Sequence, residues 1–88
     1  MMSLTLDRLP FRTAATVSDI AWDALAPGEA KRLRALGLDE GVAVEMLHAA
    51  PFGRDPVAVR IGRMTVAIRR IHAAAVSVQA DEALLAAE

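Results

Sequence analysis

The chain contains no cysteine and no tyrosine, and its only aromatic residues are one tryptophan and two phenylalanines. The lack of cysteine excludes disulfides, thiolate metal ligands and thiol nucleophiles, and it fits a reducing compartment. Because aromatic side chains are so scarce, the core must be built from aliphatic residues. No stretch approaches the roughly 20 consecutive apolar residues of a membrane-spanning helix, so we expect no direct membrane insertion.

An excess of charge of either sign is also missing. Ten basic and eleven acidic residues give a formal net charge of −1, which provides no overall attraction to phosphate backbones. Together with the scarcity of aromatic rings for base stacking, this balance argues against nucleic acid as a partner. The 88 residues suffice for one domain with one small core.

The stretch 32–44 predicts the end of a helix, a tight stop and the beginning of a strand. Ala30, Leu33 and Leu36 recur at the helical spacing of three and share one face, and we place this helix at about 27–36. Gly37 stands where helices often end in a left-handed residue, a conformation that suits glycine because it has no Cβ. Leu38 can then fold back against Leu33.

A β-hairpin is predicted for residues 57–68. Apolar residues alternate along both halves, and the pair Gly62-Arg63 between them suits a two-residue primed turn. This register pairs Ile61 with Met64, Val59 with Val66 and Val57 with Ile68. All six apolar side chains then share one face, which we expect to be buried, because a one-residue slip would turn the whole set outward.

Weaker signals complete the secondary structure. Ser3 can cap a helical turn at 3–9, which Pro10 stops. The remaining segments are a strand at 14–20, a strand at 42–47, a loop at 49–55, a helical turn at 69–73, a strand at 75–78 and a tail at 80–88. The tail forms a short helix only if it docks, because an isolated helix of this length is marginal in water.

Two segments carry a resemblance to a known family. Residues 32–41, Arg-Leu-Arg-Ala-Leu-Gly-Leu-Asp-Glu-Gly, precede an alternating strand, and residues 50–56 then read Ala-Pro-Phe-Gly-Arg-Asp-Pro. This order resembles FeoA-like proteins, small cytoplasmic components of bacterial ferrous iron uptake, from Leu4 to Val78. The resemblance implies a mainly β fold, a small SH3-like antiparallel β-barrel of about five strands with one inserted α-helix, at residues 1–79. The family usually has glycine in place of Arg12, which leaves the entry into the first strand open.

Residues suited to catalysis or metal binding are few. His48 and His72 are the only histidines; they lie on different predicted elements and lack a ligand spacing such as i and i+4. A metal site could recruit them with Asp55 or Glu45, but we interpret both as ordinary surface or partly buried histidines. Gly37 follows the C-terminal, negative end of a helix dipole, so it does not predict a phosphate site. We predict no catalytic, cofactor or metal site.

A surface for a partner protein is predicted instead, because loops on a rigid scaffold are common recognition sites. The predicted partner-binding residues are Leu36, Gly37, Leu38, Pro51, Phe52, Arg54 and Arg69. Phe52 either caps the core or contacts a partner, and Trp22 either covers the core or anchors a partner. Lys31, Arg32 and Arg34 form either a solvated helix face or a docking surface.

The resemblance implies a non-catalytic accessory protein of ferrous iron uptake. Such a protein binds the cytoplasmic GTPase region of the membrane transporter FeoB and modulates its activity or assembly. Iron then enters only as cargo of the transport system, and the chain is cytoplasmic, reaching the inner membrane through its partner. Two alternatives stay open: a regulatory module like the SH3-like domains of metal-responsive repressors, and a small nucleic-acid-binding barrel. Self-association also stays open.

Overall fold

We describe residues 2–80 of a computed structural model, without the side chains of residues 2 and 3. In chain order these residues form β1 (Met2–Thr5), a 3-10 turn (Leu6–Arg8), β2 (Ala14–Ile20), a second 3-10 turn (Trp22–Ala24), α1 (Pro27–Ala35), β3 (Ala43–Ala49), β4 (Val57–Ile61), β5 (Met64–Ile68), α2 (Arg70–Ala73) and β6 (Val76–Ala80). The predicted tail helix lies almost entirely beyond residue 80 and therefore outside the described residues.

The strands form one antiparallel sheet in the order β1-β6-β2-β3-β4-β5. The predicted mainly β architecture with one inserted helix is therefore confirmed, with six strands where about five were expected. β1 and β5 are the outer strands, so the sheet is strongly paired but not closed into a full barrel.

The core is aliphatic, as the composition predicts. Its largest fully buried side chains are Leu6, Leu33, Leu38, Met46, Ile61, Ile68, Val17, Val57, Val59, Val76 and Val78. Burial of each such side chain stabilises the fold by about 1.5–3 kcal/mol. Phe11 and Trp22 are partly buried and pack against this cluster from outside.

The β4–β5 hairpin has the predicted register, with Ile61 opposite Met64, Val59 opposite Val66 and Val57 opposite Ile68. Gly62 has φ +60°, as the first central residue of a type II′ turn requires. The expectation of six buried side chains is wrong for two of them. Met64 is 49% exposed and Val66 is half-buried, because β5 is an outer strand without a neighbour on its other side.

The helix α1 ends as the sequence predicts. Gly37 adopts φ +98°, the backbone N–H of Leu38 donates to the carbonyl of Leu33 at 3.0 Å, and that of Gly37 donates to the carbonyl of Arg34 at 3.0 Å. These two bonds are the Schellman arrangement of a helix terminus. Both leucines are buried in the core cluster, so the turn ends the helix and also packs the chain that leads to β3 against the core.

The N-terminal prediction is wrong in part. Residues 3–5 belong to β1, which pairs with β6 from Met2 opposite Ala80 to Thr5 opposite Ser77. Only Leu6–Arg8 forms a helical turn, and Thr5 rather than Ser3 precedes it, with no capping bond from the Thr5 side chain. Pairing with a distant strand therefore overrides the local capping signal.

Arg12 adopts a left-handed backbone conformation, with φ +65°. Its backbone N–H donates to the carbonyl of Met46 at 2.7 Å, which holds this turn against β3. The conformation is one that glycine adopts without steric penalty and other residues rarely adopt. The entry into β2 therefore keeps the shape that glycine favours although the side chain is arginine.

Candidate partner-binding surface

The loop between β3 and β4 presents the most exposed large apolar side chain among the described residues. Phe52 is 89% exposed, so it does not cap the core. Gly53 and Arg54 both have left-handed backbones, with φ +74° and +59°. Consecutive left-handed residues form a tight turn at the loop tip.

Asp55 fixes this loop to α2. Its Oδ1 accepts a 2.9 Å hydrogen bond from the backbone N–H of Arg70, and its Oδ2 lies 3.9 Å from Nε of Arg69. The Nε of Arg70 donates in return to the carbonyl of Arg54 at 2.8 Å. Arg69 and the loop that carries Pro51, Phe52 and Arg54, which were predicted as members of one partner-binding set, are therefore joined directly.

The segment before β2 joins the same surface. Nη1 of Arg70 lies 3.5 Å from the carbonyl of Asp7, and the guanidinium carbon of Arg54 lies 5.9 Å from the ring centroid of Phe11. These contacts bring together three segments that carry five arginines, and we call these residues the arginine end: Arg8, Arg12, Arg54, Arg69 and Arg70. Ile71, the next residue of α2, is 74% exposed beside it. Sequence reasoning missed Arg8, Arg12 and Ile71, because only the fold joins their segments to the loop.

The predicted residues 36–38 lie in a different place, at the end of α1. A surface groove of about 520 Å³ there is lined by Trp22, Arg34, Gly37, Leu38 and Asp39. The guanidinium carbon of Arg34 lies 4.3 Å above the centroid of the Trp22 ring, within cation–π range. Leu38 is only 2% exposed, so its side chain lies mostly in the core and contributes little exposed surface to this groove.

Glu29 links α1 to the rest of the fold. Its carboxylate accepts two hydrogen bonds from Arg32, at 2.9 and 2.8 Å, and Arg32 also donates to the carbonyl of Ala67 at 3.0 Å. The hydrogen bonds from Arg32 hold the pKa of Glu29 below its ordinary value of 4.5, although partial desolvation opposes this shift. The same pair raises the pKa of Arg32. Of the three basic residues on α1, Arg32 and Arg34 are thus engaged within the chain.

The histidines do not form a metal site with the acidic residues predicted as possible ligands. Nδ1 of His72 is buried 3.2 Å from Oε2 of Glu29, without hydrogen-bond geometry, whereas His48 is exposed on β3. Residues 2–80 contain no group of three or more histidine, aspartate or glutamate side chains that could hold a metal ion. Within the same range, no helix is long and apolar enough to cross a membrane.

The fold is that of a small antiparallel SH3-like domain. The FeoA domain family matches residues 4–80, and the chain belongs to this family, whose members take part in ferrous iron transport. The resemblance stated from the sequence is therefore confirmed.

Solved structures agree with this assignment. The FeoA protein of Chlorobium tepidum is 31% identical, with a TM-score of 0.76 over 88% of this chain and 70% of that one. The zinc-complexed FeoA of Stenotrophomonas maltophilia, described as an SH3 domain protein, is 34% identical, with a TM-score of 0.68 over 91% and 92%. A manganese-dependent transcriptional repressor, at 22% identity and TM-score 0.75 over 90% of this chain and 42% of its own, shares the fold alone. A search of curated protein sequences found no match.

Proposed function

We propose that this chain is a non-catalytic accessory protein of bacterial ferrous iron uptake that binds the cytoplasmic GTPase region of a FeoB-type transporter. The observation that carries the proposal is the family match over residues 4–80. Binding modulates the activity or assembly of the transporter, and it brings an otherwise cytoplasmic chain to the inner membrane. Iron is the cargo of the complete system and needs no resident site in this domain.

The geometry supports a binding role. Glu29, Arg32 and His72 lie together, but all three side chains are engaged in contacts that join α1 to β5 and α2. The described surface outside this cluster offers exposed loop residues on a rigid sheet, which is the usual arrangement of a recognition module. The FeoA of Stenotrophomonas maltophilia is itself described as a candidate activating factor of ferrous iron transport.

Calorimetry and a turnover assay test this proposal together. The purified chain is titrated into the GTPase domain of the FeoB-type transporter from the same organism, loaded with GDP or with a non-hydrolysable GTP analogue. GTP hydrolysis is then measured with and without the chain. We expect saturable binding and a changed hydrolysis rate or nucleotide affinity, unaffected by prior chelation of the chain. Absence of binding in both nucleotide states, or GTP hydrolysis by the chain alone, would overturn the proposal.

A further inference from the structure

We infer that the arginine end is the face that contacts the transporter GTPase, and that it fits an acidic partner surface with an apolar recess for Phe52. This inference rests on the proposed function and adds where the contact lies and what chemistry the partner offers. It separates the predicted partner residues into two groups, since residues 36–38 lie elsewhere on the surface.

The first support is a separation of charge that the net value conceals. The segments that meet at this end, residues 6–13, 50–56 and 69–73, carry five arginines and two aspartates. The rest of residues 2–80 carries five basic and six acidic side chains. One end of a nearly neutral domain is therefore positive. Charged patches of this kind steer association toward a surface of opposite sign.

The two aspartates offset only part of this charge and leave an excess of three positive charges in these segments. Asp55 is bonded to the backbone of Arg70 and lies beside Arg69. Asp7 is half-buried, and its Oδ1 is buried without a hydrogen-bond partner. In contrast, the side chain of Arg69 remains 70% exposed, so its charge faces outward.

The second support is the exposed apolar side chain on one of these segments. Phe52 is 89% exposed at the tip of its loop, and Ile71 is 74% exposed on α2. A side chain that projects this far is covered only if a partner surrounds it. Aromatic and arginine side chains are also the types most enriched at the energetic centres of protein interfaces.

The third support is that the loop is fixed before any partner binds. Arg70 bonds to the carbonyl of Arg54, and Asp55 bonds to the backbone of Arg70. Fixed geometry lowers the entropy cost of binding a shaped partner. A fluid layer of lipid headgroups gains little from it, so these bonds favour a folded acidic protein over an anionic membrane.

The test measures affinity for the same GTPase domain with four variants of the full chain at low and moderate salt. Phe52→Ala should weaken binding by about tenfold or more. Arg69→Glu should weaken it by about five- to tenfold at low salt and by less at moderate salt, because salt screens exposed charges. Two matched controls change exposed residues on β5 and its turn: Met64→Ala and Arg63→Glu should stay within about twofold of the unmodified chain. Unfolding midpoints of all four verify that they fold.

Each other outcome has a definite meaning. If the domain binds but Phe52→Ala and Arg69→Glu behave like their controls, the inference is overturned and the proposed function stands. If the unmodified chain does not bind the domain, the proposed function fails and this inference fails with it. Binding to vesicles of phosphatidylglycerol and phosphatidylethanolamine in place of the domain would overturn the inferred occupant. A dimer of the chain that is detected by sedimentation and abolished by Phe52→Ala would also overturn the inferred occupant.

Discussion

The backbone N–H of Arg70 donates a 2.9 Å hydrogen bond to Oδ1 of Asp55, which lies fifteen residues earlier in the chain. The residue that precedes α2, Arg69, has no side-chain capping bond of its own. A carboxylate from the β3–β4 loop therefore satisfies the first turn of this four-residue helix. One side chain thus positions both the loop tip and the helix of the arginine end.

We expect Asp55→Ala to lower the free energy of unfolding by about 1–2 kcal/mol, because it removes a charge-assisted hydrogen bond at a helix start. Urea unfolding measures this loss. Asp19→Ala is the matched control, since Asp19 is exposed on β2 and should change stability by less than about 0.5 kcal/mol. Equal urea unfolding midpoints for Asp55→Ala and Asp19→Ala would show that the stability of the fold does not depend on the hydrogen bond of Asp55.

Gly37→Ala should destabilise the fold by about 1 kcal/mol or more, because Gly37 has φ +98° and a Cβ is strained there. Thermal unfolding compares it with Gly28→Ala, in the first turn of α1. A Cβ on either glycine meets no atom within 4 Å, and only Gly37 has the positive φ. Gly28→Ala should therefore stabilise by up to about 1 kcal/mol. A change in stability of the same sign for both variants would contradict this account of the helix terminus.

Arg12→Gly should raise the thermal unfolding midpoint. Relief of a left-handed non-glycine backbone is worth about 1–3 kcal/mol, while the greater freedom of glycine in the unfolded chain costs about 0.5–1 kcal/mol. The net gain is small and positive. Arg12→Ala removes the same side chain but keeps the strain, so it should not raise the midpoint. A gain from alanine equal to that from glycine would mean that the arginine side chain, rather than its backbone, is unfavourable.

Glu29→Gln should cost about 0.5–1 kcal/mol at neutral pH, as expected for a well-oriented ion pair that is still partly solvated. Arg32 holds the pKa of Glu29 below 4.5, so the folded state favours the ionised carboxylate. This stabilisation is complete above the unfolded pKa near 4.5 and is lost as the pH falls through the lowered folded pKa.

Urea unfolding at pH 7 and pH 3 tests this dependence. The stability difference between the unmodified chain and Glu29→Gln should shrink at the lower pH, whereas the exposed control Glu40→Gln should show little difference at either. If the stability difference between the unmodified chain and Glu29→Gln were unchanged at pH 3, the ionised carboxylate would be excluded as its source. His72 faces Glu29 at 3.2 Å, so His72→Gln in both backgrounds separates the imidazole from the guanidinium.

The sequence predicted the elements that rest on short-range rules. The hairpin register follows from alternation and a two-residue turn that begins with glycine, and the end of α1 follows from Gly37 and its two leucine neighbours. Each signal spans a dozen residues or fewer, and the structure has both as predicted.

Features that depend on distant strands were beyond such rules. The segment 3–5 follows β6 rather than its own capping signal. Met64 alternates like a buried residue but lies on an outer strand, which no local pattern reveals. Local signals predicted the loop residues Pro51, Phe52 and Arg54. That the segment with Arg8 and Arg12 joins the same surface depends on contacts between segments more than 40 residues apart.

The bond from Arg32 to the carbonyl of Ala67 has a consequence for the behaviour of many copies together. An outer strand carries backbone groups that can recruit a foreign strand and start aggregation. By occupying one of these carbonyls on β5, Arg32 removes an acceptor that a foreign strand would need for pairing at that edge. One side chain of α1 thus masks part of the exposed edge of the sheet.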